Sequence, residues 1–292
     1  MRALDHHHDD ELDRGLAYDL TTMLSRRRLL SFAAGIGATA ALAACGSDDT
    51  DDAASQTTAE SSETAGRSAS TETSGTSGTT ASSASCEPIP EETAGPFPGD
   101  GSNGPDALSE ADVVRSDIRS SIGSASGVAD GVPLSIDLTL TDTESGCAPL
   151  ADAAVYVWHC DREGRYSMYS PGAEGENYLR GVQVADTNGR LTFASIFPAC
   201  YSGRWPHIHF EVYQSVDAAT SGDEPIATSQ LALPEDVCTT VYATEGYEDS
   251  VGNLAGVSLD GDNVFSEDGA EQLASVTGDA GSGYVAALTI PV

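Results

Sequence analysis

The sequence predicts an all-β fold, a β-sandwich of mainly antiparallel strands spanning residues 86–292, preceded by a signal peptide and a disordered tether. Three observations predict it. Short runs of alternating apolar and polar residues recur after residue 130, turn residues separate them, and no stretch shows a long amphipathic helix.

The elements follow in chain order. Leu134, Ile136, Leu138 and Leu140 alternate with Ser135, Asp137, Thr139 and Thr141, the two-residue period of a strand with one buried face. Ala154 to Trp158 is rich in β-branched and aromatic residues and reads as a second strand. Asp186-Thr187-Asn188-Gly189-Arg190 carries Asn-Gly at its centre and predicts a hairpin joining Gly181–Ala185 to Leu191–Ile196. Ile208, Phe210 and Val212 alternate with His207, His209 and Glu211, and Tyr284 to Ile290 would close the sheet. Gly269–Ala274 suggests a turn or two of helix, and Ser109–Ser121 reads as a loop.

Residues 1–44 read as addressing information. Ser25-Arg26-Arg27-Arg28-Leu29-Leu30 is a twin-arginine run, and the apolar stretch after it ends in Leu42-Ala43-Ala44-Cys45, which resembles a bacterial lipobox. The expectation is an exported protein whose Cys45 carries lipid at the outer face of the cytoplasmic membrane, with Met23 a second candidate start. Residues 45–85 are nearly all Ser, Thr, Ala, Gly, Asp and Glu, too polar to offset the entropy of ordering, and read as a solvated tether.

The formal net charge is −33 and the chain has no lysine. Setting aside residues 1–44 removes only five of the 13 basic residues and six of the 46 acids. A nucleic-acid partner is excluded on this balance, since a phosphate backbone needs a basic face. Oligomeric state is open. Five cysteines follow Cys45, and an exported protein can keep disulfides. The favoured pairs are Cys86–Cys147 and Cys200–Cys238, with Cys160 left as a small core residue.

The chemistry concentrates at Tyr201-Ser202-Gly203-Arg204-Trp205-Pro206-His207-Ile208-His209. Two histidines two apart on a strand share a face, a common start to a transition-metal site. Tyrosines stand nearby at Tyr201 and, after Trp158-His159-Cys160-Asp161, at Tyr166. Two imidazoles and two phenols suit ferric iron, a hard cation that favours phenolate.

Taken together, Glu92-Thr93-Ala94-Gly95-Pro96-Phe97, Val114-Arg115-Ser116-Asp117-Ile118, Trp158-His159-Cys160-Asp161 with Gly164-Arg165-Tyr166, and Tyr201 with Arg204 and His207-Ile208-His209-Phe210 resemble the intradiol ring-cleavage dioxygenases in order and spacing. The likeness is strongest to the exported, single-domain branch and covers nearly all of residues 86–292. The resemblance implies an Fe(III) site that opens catechols with O2 between the two hydroxylated carbons, giving muconate-type dicarboxylic acids. By the same resemblance Tyr166, Tyr201, His207 and His209 are the metal ligands. Tyr201 doubles as a catalytic base, Arg204 stands beside the substrate, and Gln230 lies near the bound ring.

Rivals stand beside these assignments. Tyr169 or Tyr178 could replace Tyr166, and His159 reads as a strand or supporting histidine. A cupin or copper oxidase would need a third histidine, which only His159 could supply. A lipid-tethered β-sandwich binding module without turnover is the alternative from another class.

Overall fold

The computed structural model describes residues 86–292; the expected signal peptide, the tether and Cys45 lie outside the described residues. Nine strands form two sheets: β1 (Pro133–Asp142), β2 (Ala148–Pro149), β3 (Ala154–Trp158), β4 (Arg180–Val184), β5 (Arg190–Ile196), β6 (His207–Tyr213), β7 (Ala227–Ala232), β8 (Ser275–Asp279) and β9 (Gly283–Pro291). One sheet runs β2-β1-β9-β8 with β5 also paired to β1, and the other runs β4-β3-β6-β7. Every pairing between named strands is antiparallel except β1 with β9, which is parallel.

Alternation along β1 puts Leu134, Ile136, Leu138 and Leu140 against Val155 and Val157 of β3 and Ile208, Phe210 and Val212 of β6 in one core between the sheets. Each such side chain contributes about 1.5–3 kcal/mol by leaving water. In β3 and β6, however, every residue is buried. Their outer faces, with Tyr156, Trp158, His207 and His209, are covered as well, so this sheet has two buried sides.

Two segments supply the cover. Residues 92–99 cross the outer face, with Glu92 N–H donating to Thr228 O (2.8 Å) and Tyr156 Oη donating to Pro98 O (2.8 Å). The loop between β3 and β4 lies alongside, where Tyr169 Oη accepts from Gly99 N–H at 2.8 Å. The Ser109–Ser121 loop, irregular as expected, is stitched to both sheets by Arg115 N–H to Val182 O (2.9 Å) and Ile118 N–H to Ala194 O (3.0 Å).

Helices are short: α1 (Val216–Ser221), α2 (Glu235–Tyr242), α3 (Glu248–Leu254) and α4 (Gly269–Gln272). Only α4 falls where the sequence suggested a turn of helix. Among the described residues no helix is long and apolar enough to cross a membrane.

Two expectations need correction. The Asn-Gly turn exists, with Asp186 N–H bonded to Arg190 O at 2.8 Å and Gly189 at φ +73°, but no hairpin extends from it. β4 pairs with β3 while β5 pairs with β1, because Val182 packs under the outer face with Tyr156 and Trp158, whereas Leu191 and Phe193 belong to the core between the sheets. The strands must therefore part company after the turn.

The disulfide Cys86–Cys147 is formed, but Cys200 and Cys238 are free and buried, as is Cys160. Cys200 Sγ is turned onto the carbonyls of Arg204 (3.5 Å) and Tyr201 (3.9 Å), and Cys238 is a core residue of α2.

Candidate metal centre

Strand β6 places His207 and His209 on the same outer face, with their Nε2 atoms 3.1 Å apart. Tyr201 Oη lies 3.1 Å from His207 Nε2, Tyr166 Oη lies 3.4 Å from it, and the two phenol oxygens are 3.5 Å apart. Four side chains from three separate segments thus bring their donor atoms to one point.

Local structure explains each arrival. The Asp161 carboxylate organises the turn that delivers Tyr166, accepting from Glu163 N–H (2.9 Å), Arg165 N–H (3.0 Å), Arg165 Nε (2.9 Å) and Tyr178 Oη (3.0 Å). Tyr201 sits on a loop fastened to α3, where Cys200 N–H donates to Ser250 Oγ (3.0 Å) and Asn253 Nδ2 donates to Cys200 O (2.9 Å).

The histidines are aimed differently. His207 Nδ1 contacts Trp205 O at 2.6 Å, and since a carbonyl only accepts, Nδ1 carries the proton and Nε2 presents a lone pair. His209 is aimed by packing: its ring stacks on Trp158 at 4.9 Å and 7°, and its Nδ1 has no hydrogen-bond partner. Gly95 closes the other side at φ +72°, and a Cβ there would lie 3.2 Å from His209 Cε1. Phe97 packs on Tyr166 with ring centroids 5.0 Å apart.

Burial sets the charge state. It pushes His207 down to about 3, helped by the Arg204 charge, and holds His209 well below the ordinary imidazole range, so both rings are neutral donors. It likewise raises the Tyr166 phenol well above its usual range, with Tyr201 adding to the effect. The protein's own groups therefore supply four neutral donors and no charge to hold them together.

Hydrogen bonding alone does not account for the cluster. His207 Nε2 has one lone pair, yet three polar atoms lie within 3.4 Å of it. A central cation resolves this, since it takes a lone pair from each nitrogen and draws the proton from each phenol. Imidazole and phenolate donors fit a ferric ion. Among the described residues no trio of His, Cys, Asp or Glu forms a metal-binding group, so the tyrosines are what make this a candidate centre.

Arg204 is buried beside the cluster, donating from Nε to Asp262 (3.0 Å) and from Nη2 to Gln230 Oε1 (2.7 Å). Burial works to raise the Asp262 carboxyl, but the Arg204 charge and the hydrogen bonds from Arg204, Trp205 N–H and Val264 N–H together outweigh it and hold the group below the ordinary carboxylate range. Gln230 faces His209 in the β6–β7 register and donates from Nε2 to Thr93 O at 2.9 Å, linking Arg204 to the covering segment.

All six residues named from the sequence are thus brought together. The rivals are engaged elsewhere: Tyr169 Oη bonds Gly99 and Asn103, Tyr178 donates to Asp161, and His159 Nε2 contacts Ser195 Oγ at 2.7 Å. Sequence reasoning missed Asp262, which reads as part of an ordinary turn 58 positions beyond Arg204. It also missed Arg180 as a clamp, Trp158 as the support of the His209 ring, and Asp161 as the organiser of the turn that delivers Tyr166.

Comparisons with known proteins bear on this arrangement. Residues 103–218 match a family model described as Dioxygenase. The chlorocatechol 1,2-dioxygenase of Rhodococcus opacus is 38% identical over 53 residues, 18% of this chain and 21% of the relative. Catechol 1,2-dioxygenase 2 of Acinetobacter lwoffii is 37% identical over 54 residues, 18% of this chain and 19% of the relative. The chain thus spans about a fifth of the length of these curated relatives. Among solved structures, the intradiol ring-cleavage dioxygenase from Tetranychus urticae aligns with a TM-score of 0.50 at 24% identity, covering 63% of this chain and 89% of that chain, a likeness of fold.

Proposed function

We propose that this chain, which resembles the intradiol ring-cleavage dioxygenases in fold and across residues 103–218, is a non-haem Fe(III) enzyme that opens catechol-type rings with O2. The observation that carries the reading is the meeting of the Tyr166, Tyr201 and His209 donor atoms within 3.4 Å of His207 Nε2, with Arg204 beside them. These four residues would hold the metal. Ferric iron, when bound, supplies a Lewis acid for both catechol oxygens and an acceptor for the electron density of the ring.

The chain's own residues do the rest. His207 and His209, kept neutral by burial, donate nitrogen lone pairs without competing for the substrate's protons. Tyr201, partly exposed where Tyr166 is buried, is the phenol placed to take a catechol hydroxyl proton on its own oxygen once a bound metal has drawn off its own proton. Arg204, fixed by Asp262 and Gln230, offsets negative charge that develops on the ring. Trp158, Gly95 and Phe97 wall off water. The carbon–carbon bond between the hydroxylated carbons breaks, both atoms of O2 enter the product, and each of those carbons becomes a carboxyl group.

The reading extends to place. The twin-arginine run and Cys45 support export and lipid attachment, checked by mass analysis of the mature N-terminus recovered from membranes.

The deciding experiment is the visible spectrum of the iron-supplied protein before and after catechol is added without oxygen. Phenolate-to-iron charge transfer should colour the protein and move to longer wavelength with catechol, and Tyr166→Phe or Tyr201→Phe should alter the band. A protein that stays colourless with iron returns the chain to a binding module.

A further inference from the structure

We infer that the site takes catechols with no acidic substituent and discriminates against those carrying a carboxylate, because among the described residues no uncommitted cation stands near the four-donor cluster. The inference rests on the dioxygenase reading above and adds a substrate class to it.

The argument is an accounting of positive charge. The chain has no lysine, and the three described histidines are buried. Among the described arginines, Arg180 lies beside the covering segment, but its donors are spent on Phe97 O, Pro98 O, Ser167 O and Ser167 Oγ. Arg115 spends its donors on the carbonyls of Ser120, Asn177 and Arg180, and Arg165 on Asp161 and Glu163. Arg119 and Arg162 pair with Asp117 and Asp130. Arg190 is exposed on β5, in the sheet that does not carry the cluster.

Among the described residues Arg204 is the arginine beside the donor atoms, and it is already paired. Asp262 binds it at 3.0 Å, and Glu92, half-buried in the covering segment and raised to about 7 by that burial, is close enough to interact with it electrostatically. A catechol's ring charge would use what Arg204 has left. A ring carboxylate would then be stripped of water with no partner. The net charge of −33 acts in the same direction at longer range by repelling an anionic substrate during approach.

The same field gives the reaction a direction. A neutral catechol enters without opposition, and its cleavage product leaves carrying two carboxylates. An acid-rich site that admits the first repels the second, which favours product release.

The test compares 3,4-dihydroxybenzamide with 3,4-dihydroxybenzoate on the iron-loaded full chain, by oxygen uptake. Carboxamide and carboxylate have the same planar shape and nearly the same size, so the difference reads charge. The expected result is a kcat/KM at least about 100-fold lower for the carboxylate at about 0.02 M NaCl, with the gap narrowing severalfold at about 0.5 M as long-range repulsion is screened. Glu92→Gln should narrow it further, and the salt dependence stands alone if that variant does not fold. Equal turnover of the two, or a gap that salt leaves untouched, would overturn the inference while leaving the dioxygenase reading intact. No oxygen uptake with either substrate or with catechol itself would sink that reading and the inference together.

Discussion

The guanidinium of Arg180 donates to the carbonyl oxygen of Pro98 at 2.7 Å, joining residues 82 positions apart. It also reaches Phe97 O (3.0 Å), Ser167 O (2.9 Å) and Ser167 Oγ (3.0 Å), so one buried side chain ties the covering segment to the residue after Tyr166. Arg180→Met would take the side-chain donor from Phe97 O and Ser167 O and leave Pro98 O with Tyr156 Oη alone, and should cost about 3 kcal/mol or more. Lysine keeps the charge but not the fork, so Arg180→Lys should recover only part. Thermal melts measure the loss. The near-ultraviolet tyrosine signal of the folded variant separates a displaced Tyr166 from a merely weakened fold.

Asp262 should matter through Arg204. Asp262→Asn leaves a buried guanidinium short of its counter-charge, and breaking such a pair typically costs about 3–5 kcal/mol. The pH dependence has a definite sign. The folded carboxyl titrates below its ordinary value near 3.8, so its stabilisation is present above that pH and lost as pH falls through the lower folded value. Melting temperatures of the wild type and Asp262→Asn should differ by a constant amount near neutral pH and converge as pH falls through the lowered folded value. A difference that persists at the lowest pH would assign the effect to packing.

Gly95 is the tightest backbone approach to the cluster. Gly95→Ala must hold a β-carbon at φ +72° and 3.2 Å from His209 Cε1, a backbone strain of about 1–2 kcal/mol with His209 displaced besides. Iron affinity should fall more than stability does, as read by competition with a chelator beside a denaturant titration.

The cysteines give a chemical check. Burial raises the Cys200 thiol to about 12 and pushes Cys160 and Cys238 higher still, so none is a ready nucleophile. In residues 86–292 a thiol reagent should count none in the native protein and three after denaturation, with Cys86 and Cys147 appearing only on reduction. Reduction opens a link across 61 positions and should lower stability by about 4 kcal/mol on the chain-entropy account. A single thiol after denaturation would mean that Cys200 and Cys238 pair in solution.

The sequence by itself determined six of the nine described strands and which side chains form the cluster. Period-2 alternation places β1, β6 and β9 because a sheet face is a local property of the chain, and His-x-His shares a face for the same reason. The four donors were also legible, since tyrosines and histidines occur where the resemblance expects them. Only the tertiary structure decided which sheet each strand joins, as β4 and β5 show by parting after a genuine turn. It alone decided that Cys200 and Cys238 stay apart, that Asp262 anchors Arg204, and that Arg180 spans 82 positions to clamp the site. Each is a contact between segments distant in sequence, selected by packing and by the cost of leaving a buried charge or carbonyl unpaired, and no local pattern records it.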